Sequence, residues 1–360
     1  MIVIHTPGHS LYTDTLIMYA LASATRERLR RVVGHGISYS LAIENLSEVD
    51  LAQRILSRFD IIRSDFSGRL AKLVDEKDVG ASYDSLSRID GLARYLKSLR
   101  EPGHAQQEGR LGRGKSLKLP LMPSAGKYFR IDLTMKEKYD VSEYEVCSYC
   151  FALALLGLAV GTVSFASRTT QVVSTVGFEG EVDGSSLNSL LGVFEQLREF
   201  QDEVMKSVRV DEISDRVLGS LLLTRFDDDI IRSLYGTDAS WKSLVVRFEV
   251  ARAVQVRGFT TVEVDSILTA LEELIELREK AIAEQVQRPQ ACRGRLNEFV
   301  AKMISIGAYG ALEKLLDFLV TRDLPILYTV VREAFTSAEG RWLAGSELIL
   351  CLASLSAEHA

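Results

Sequence analysis

Apolar residues set the first elements of the chain. Ile2 to Ile4 forms a short buried run, Thr6-Pro7-Gly8 turns it, and Leu16, Ile17, Tyr19, Ala20 and Leu21 then recur at the spacing of a helix from about 11 to 24. From Arg28 to Ile43 the period changes. Val33, Ile37, Tyr39, Leu41 and Ile43 alternate around the Gly34-His35-Gly36 turn, which predicts a hairpin whose first strand opens with Arg28, Arg30 and Arg31 on a solvated edge. Ser47-x-x-Asp50 has the spacing of a capping box and starts a helix to about 58. Amphipathic helices follow at roughly 66–75 and 84–100.

Beyond a polar stretch, Phe129 to Leu133 predicts a strand that returns to the first domain. Ser142-x-x-Glu145 predicts the cap of a long helix carrying the run from Cys147 to Leu158, apolar on nearly every side and therefore buried. Thr162 to Phe165 and Thr170 to Val182, rich in Val and Thr, predict strands, and Asp183-Gly184 ends them before a helix over about 186–206. Three-to-four-residue spacing then predicts helices around 212–224, 227–235, 241–256, 261–286, 294–304, 308–321, 324–335 and 342–355, with Pro325 in a first turn. The expected fold class is α+β. A mixed α/β nucleic-acid-binding region spans 1–206, with a basic Gly-rich loop at 100–127, and a mainly helical bundle spans 207–360.

Charge is also unevenly spread along the chain. Residues 1–130 carry 20 Lys+Arg against 14 Asp+Glu, a balance of +6, while the remainder carries 23 against 35, or −12, within a net charge of −6. A polyanion is therefore expected to meet the N-terminal part. At 360 residues and 47% apolar content the chain has material for real cores and is not of disordered composition. Met1 leads into a strand with no basic leader, and no apolar run reaches the roughly 18 residues that cross a bilayer, so a cytoplasmic protein without membrane contact is expected. Asparagine occurs only at 45, 188 and 297, a bias shared by proteins from hot environments.

Residues 109–116, Gly-Arg-Leu-Gly-Arg-Gly-Lys-Ser, match the P-loop pattern. A working P-loop needs an apolar strand running into Gly109 and a helix starting at Lys115, so that backbone N–H groups converge on the phosphates. The polar run 100–108 and Pro120 and Pro123 deny it both flanks. The segment reads instead as a basic glycine-rich loop suited to a phosphodiester backbone. Its candidate contacts are Arg110, Arg113, Lys115, Lys118, Lys127 and Arg130, joined by Arg28, Arg30 and Arg31; Tyr128 and Phe129 are placed to stack bases or to pack in the core.

Other chemistry has a plainer reading. Cys147 and Cys150 fall inside the predicted helix with no second Cys/His pair at zinc-site spacing, so they read as small hydrophobes on one helical face. With Cys292 and Cys351 they make no disulfide framework in a cytosolic chain. His5 and His9 flank a turn and lack a neighbouring carboxylate that would complete a metal site, and Asp227-Asp228-Asp229 reads as an acidic helix start. No nucleophile stands beside a base, so no catalytic residue, metal or cofactor is expected.

The strand, turn and helix Ile4-His-Thr-Pro-Gly-His…Leu16-Ile-Met-Tyr-Ala-Leu-Ala, the basic loop, the segment Ser142-Glu-Tyr-Glu-Val-Cys…Ala152-Leu-Ala-Leu-Leu-Gly-Leu and the acidic helical C-terminal third together resemble the large subunit of the archaeal type I-A CRISPR interference (Cascade) complex, the Cas8-like family. The resemblance implies a non-catalytic subunit in antiviral defence that contacts guide RNA and target DNA near the protospacer-adjacent motif. It also implies other complex subunits and a helicase-nuclease as partners. A P-loop-type nucleotide-binding enzyme and a protein-only scaffold subunit are the alternative readings.

Overall fold

A computed structural model describes residues 1–105, 115–116, 121, 145–199, 207–250, 254–283, 292–335 and 347–357. The chain divides into two compact units, one of Met1–Glu199 with Thr237–Thr261, the other of Phe200–Gly236 with Val262–Ala360.

In the first unit the elements run β1 (Ile2–His5), α1 (Leu11–Thr25), a 3-10 turn (Arg26–Arg28), β2 (Leu29–His35), β3 (Ser38–Ile43), α2 (Glu48–Ser67), α3 (Glu76–Leu86) and α4 (Ile89–Ser98). A two-residue pair follows, β4 (Lys115–Ser116) with β5 (Glu145–Val146), then α5 (Ser148–Val160), β6 (Val163–Ala166), β7 (Thr170–Asp183) and α6 (Gly184–Glu199). The expected hairpin is present, turning at Gly36 with φ 66°. The Ser47–Asp50 capping box is formed and α2 runs on to Ser67. The helix expected at 84–100 is α4, whereas the one expected at 66–75 falls mostly on the turns between α2 and α3. The expected strand at Phe129 to Leu133 lies outside the described residues.

Seven strands make one antiparallel sheet in the order β1-β3-β2-β7-β8-β9, with β6 pairing with β7. Here β8 (Asp238–Val250) and β9 (Val254–Glu263) correct the expectation of helices from 241. Trp241, Leu244, Val245, Val246 and Phe248 are buried. A strand covered on both faces loses its alternation and imitates helical spacing, while its Val and Phe content is that of a sheet. The first unit thus takes in residues Thr237–Thr261, which lie beyond the expected boundary at 206. The α+β class holds.

Helices α1 and α5 form the core beside this sheet: every residue of α1 from Tyr12 to Thr25 is buried, as are Cys150 to Val160 of α5. Their backbones touch where they cross, because a Cβ on Gly157 would overlap the Leu16 carbonyl.

The second unit is helical: α7 (Asp215–Thr224), α8 (Asp228–Tyr235), α9 (Asp265–Ala283), α10 (Cys292–Ile306), α11 (Tyr309–Thr321), α12 (Leu324–Phe335) and α13 (Glu347–Ala357). A disulfide between Cys292 and Cys351 ties α10 to α13, where no disulfide framework was expected. Asp228 of the acidic triplet pairs with Arg293, in keeping with a helix start. No helix among the described residues is long and apolar enough to cross a membrane.

Candidate nucleic-acid interface

The three arginines of the predicted hairpin have different fates. Strand β2 lies between β3 and β7 and is not an edge, so its outward residues must leave through a face of the sheet. A register shift between Leu29 and Arg31 makes Arg30 an extra residue against β3, and both arginines point to solvent. Each meets an acid: Arg30 lies 2.5 Å from Glu44, and Arg31 lies 3.3 Å from Glu181. Exposed pairs of this kind add about 0–1 kcal/mol, so they leave the side chains open to exchange for a phosphate.

Arg28 faces a different environment, a cleft of 620 Å³ between the end of α1, the 3-10 turn and α2. Arg26, Arg28, Arg54 and Arg58 converge there with Asn45, Gln53 and Ser57. The 3-10 turn supplies the first two arginines, and Arg26 is held at φ 39°, a left-handed backbone costly for any residue but glycine. Helix α2 supplies the others from one polar face, Asp50, Arg54, Ser57 and Ile61, opposite its buried stripe of Leu51, Ile55, Phe59 and Ile62. Glu195 of α6 bonds both Arg26 and Arg58. Burial works to raise its carboxyl, and the two guanidiniums overcome this and hold it below the usual carboxylate range. Arg54 reaches Glu27 at 3.3 Å. The Arg28 Nε is buried with no hydrogen-bond partner among the described residues. Two of these cations are therefore fixed as a positioning frame, and Arg28 and Arg54 face the cleft with donors to spare.

Sequence reasoning found Arg28 and missed Arg26, Arg54 and Arg58. The i, i+4 repeat of Arg54 and Arg58 on the non-apolar face of a capped helix is the signal that was there to read.

Of the loop candidates, Arg110, Arg113, Lys118, Lys127 and Arg130 lie outside the described residues. Lys115 and Ser116 form β4, paired in register with Val146 and Glu145. A strand at this point is incompatible with the helix start that a P-loop requires at its Lys-Ser.

The cysteine pair also departs from expectation. Cys147 is the N-cap of α5 and not a residue within it, and Glu145 of the expected Ser142-x-x-Glu145 cap belongs to β5, while Ser142 lies outside the described residues. His104, after α4, lies with its Nε2 at 3.6 Å from the Cys147 Sγ. The bond to Cys150, and beyond it the one to His104, lowers the Cys147 thiol to about 5 against burial, while burial pushes the Cys150 thiol up. His5 bonds Ser40 at 2.8 Å, and burial, reinforced by the charge of His104, lowers His9 to about 4.

No curated protein matches the chain. A family model does: the CRISPR-associated protein (Cas_Csa4) model matches residues 2–343, so the chain, with its antiparallel sheet, arginine-lined cleft and helical unit, belongs to that CRISPR-associated family.

Proposed function

We propose that this CRISPR-associated protein is the Cas8-like large subunit of a type I-A interference complex, a non-catalytic component that grips the backbone of guide RNA and target DNA. The observation that carries this is the convergence of Arg26, Arg28, Arg54 and Arg58 on one cleft, in the half of the chain that also holds the basic segment 100–130. Guanidinium groups match phosphate geometry, and the work of sequence recognition falls to guide pairing, so backbone contacts and a few groove contacts suffice. Contact near the protospacer-adjacent motif and recruitment of the helicase-nuclease by the acidic helical unit complete the proposal.

Substituting Arg28→Ala and Arg54→Ala together, leaving the Glu195 frame intact, is expected to weaken binding to a labelled target duplex. The slope of log affinity against log salt is expected to fall by roughly 0.9 for each phosphate that the variant no longer neutralises. Changing Arg110, Arg113, Lys115 and Lys118 to alanine is expected to flatten the slope further. If neither set alters affinity or slope, the nucleic-acid assignment fails. The isolated protein is expected to release no product from ATP and Mg²⁺ or from labelled DNA or RNA with a divalent ion; reproducible turnover abolished by changing Lys115 would restore the nucleotide-enzyme reading.

A further inference from the structure

His104 after α4 meets the N-terminus of α5 in a cluster that has ligand chemistry of its own. One ligand atom from each of His104, Cys147 and Cys150 lies within 4.8 Å of the other two. We infer that His104, Cys147 and Cys150 hold a zinc ion that ties the residues after α4 to the N-terminus of α5.

Distance supports this first. Zinc binds thiolate sulfur at about 2.3 Å and imidazole nitrogen at about 2.0–2.1 Å, and a tetrahedral angle between two such bonds sets the sulfur and nitrogen about 3.6 Å apart. The Cys147 Sγ and His104 Nε2 are separated by 3.6 Å. An S–H···N hydrogen bond has the same spacing, and what points to a metal is the second thiol that converges on the pair.

Local structure supports it next. Cys147 caps α5, so its side chain turns back over the first turn of the helix, and the Cys150 backbone N–H points at its sulfur from 3.4 Å. A helix N-terminus favours the thiolate form that metal binding requires. Cys150 is one turn on, and the Tyr95 hydroxyl lies 3.1 Å from its Sγ, a donor suited to a coordinated thiolate. The Tyr95 ring also packs edge-on against His104, at 5.1 Å between centroids, and fixes the plane of the imidazole. The loop bearing His104 is pinned in turn, since Ala105 N–H donates to the Pro7 carbonyl at 2.9 Å.

Two cysteines and one histidine are the soft and borderline donors that select zinc over magnesium or calcium, and three protein ligands leave the fourth tetrahedral position to water. Binding would take both cysteines as thiolates and close the chain between residues 104 and 147, so coordination free energy would offset the entropy of that closure.

The remaining thiols make the test clean, because Cys292 and Cys351 are joined and Cys147 and Cys150 are the free pair. The full-length protein, purified without chelator, is expected to carry equimolar zinc by elemental analysis. Replacement by Co²⁺ is expected to give the near-ultraviolet charge-transfer band of thiolate ligation, a readout on the unmutated chain. Cys147→Ser keeps a capping side chain on α5 and removes a ligand, so this variant and His104→Ala are expected to fold, by circular dichroism, and to lose the metal. Tyr95→Phe is expected to weaken zinc binding by about tenfold or more, as loss of an outer-shell partner does. Unmutated protein that takes up neither zinc nor cobalt overturns the proposal. So does zinc retained by a Cys147→Ser, Cys150→Ser double variant, or a Cys147–Cys150 disulfide in the native protein detected by thiol titration.

Discussion

Asp14 sits fully buried at the start of α1, where its carboxylate accepts the backbone N–H groups of Gly8 at 2.7 Å, His9 at 2.7 Å and Ser10 at 3.1 Å. These bonds fold the Thr-Pro-Gly turn onto the helix and satisfy donors that would otherwise be buried unpaired. Desolvation nevertheless outweighs them and raises the carboxyl to about 6 from an ordinary 3.8. The folded protein thus binds this proton more tightly than the unfolded chain does. The contribution to stability is full below about 3.8 and is lost as pH rises through about 6. Asp14→Asn is expected to remove that pH dependence from the unfolding midpoint. It also presents an amide donor to backbone donors, at a cost of about 1–3 kcal/mol. Denaturant titrations of both proteins at pH values across this window check both effects; a variant as stable as the parent, with the same pH profile, contradicts this role.

Between elements, the crossing of α1 and α5 depends on the missing side chain at Gly157. A methyl group there would overlap the Leu16 backbone, which cannot rotate away as a side chain would. Gly157→Ala is expected to lower stability by about 1–3 kcal/mol or more as the helices are forced apart. Gly192, inside α6, has open space where a methyl group would stand, with nothing within 4 Å. Gly192→Ala is therefore expected to be neutral or to stabilise by up to about 1 kcal/mol through helix propensity. Thermal or chemical unfolding of the two variants gives the comparison, and equal effects would show that the crossing tolerates separation.

At the scale of the molecule, β8 is the decisive element. It pairs with β7 from Thr170 to Glu181, and its Trp241 ring stands 4.9 Å from that of Phe178. A chain ending near residue 206 loses this strand and β9 and leaves the edge of β7 unpaired over an apolar run. Such a fragment is expected to aggregate or to bind hydrophobic dye, whereas a self-contained domain ending at 206 would stay soluble. Expression of residues 1–206 followed by circular dichroism and dye binding decides between them; a soluble, cooperatively unfolding fragment would mean that the sheet stands without β8.

The local elements were legible because their causes are local. Ser47 and Asp50 are three residues apart, the hairpin turns on Gly36, and the apolar content of α1 and α5 declares their burial at any position in a fold. The α+β class followed from these periods, and the resemblance to a CRISPR subunit was correct at the level of the CRISPR-associated family. What spacing alone did not reveal was long-range. Strand β8 has a run of consecutive buried residues only within the folded chain, where β7 and β9 pair with its edges, so its own period carried no mark of a strand. Arg28 meets Arg54 and Arg58 only after β2 and β3 have folded back, and His104 reaches Cys147 only once α4 and α5 are packed. Periodicity and capping are properties of neighbours along the chain; a site assembled from residues tens of positions apart is decided by closure of the chain in three dimensions.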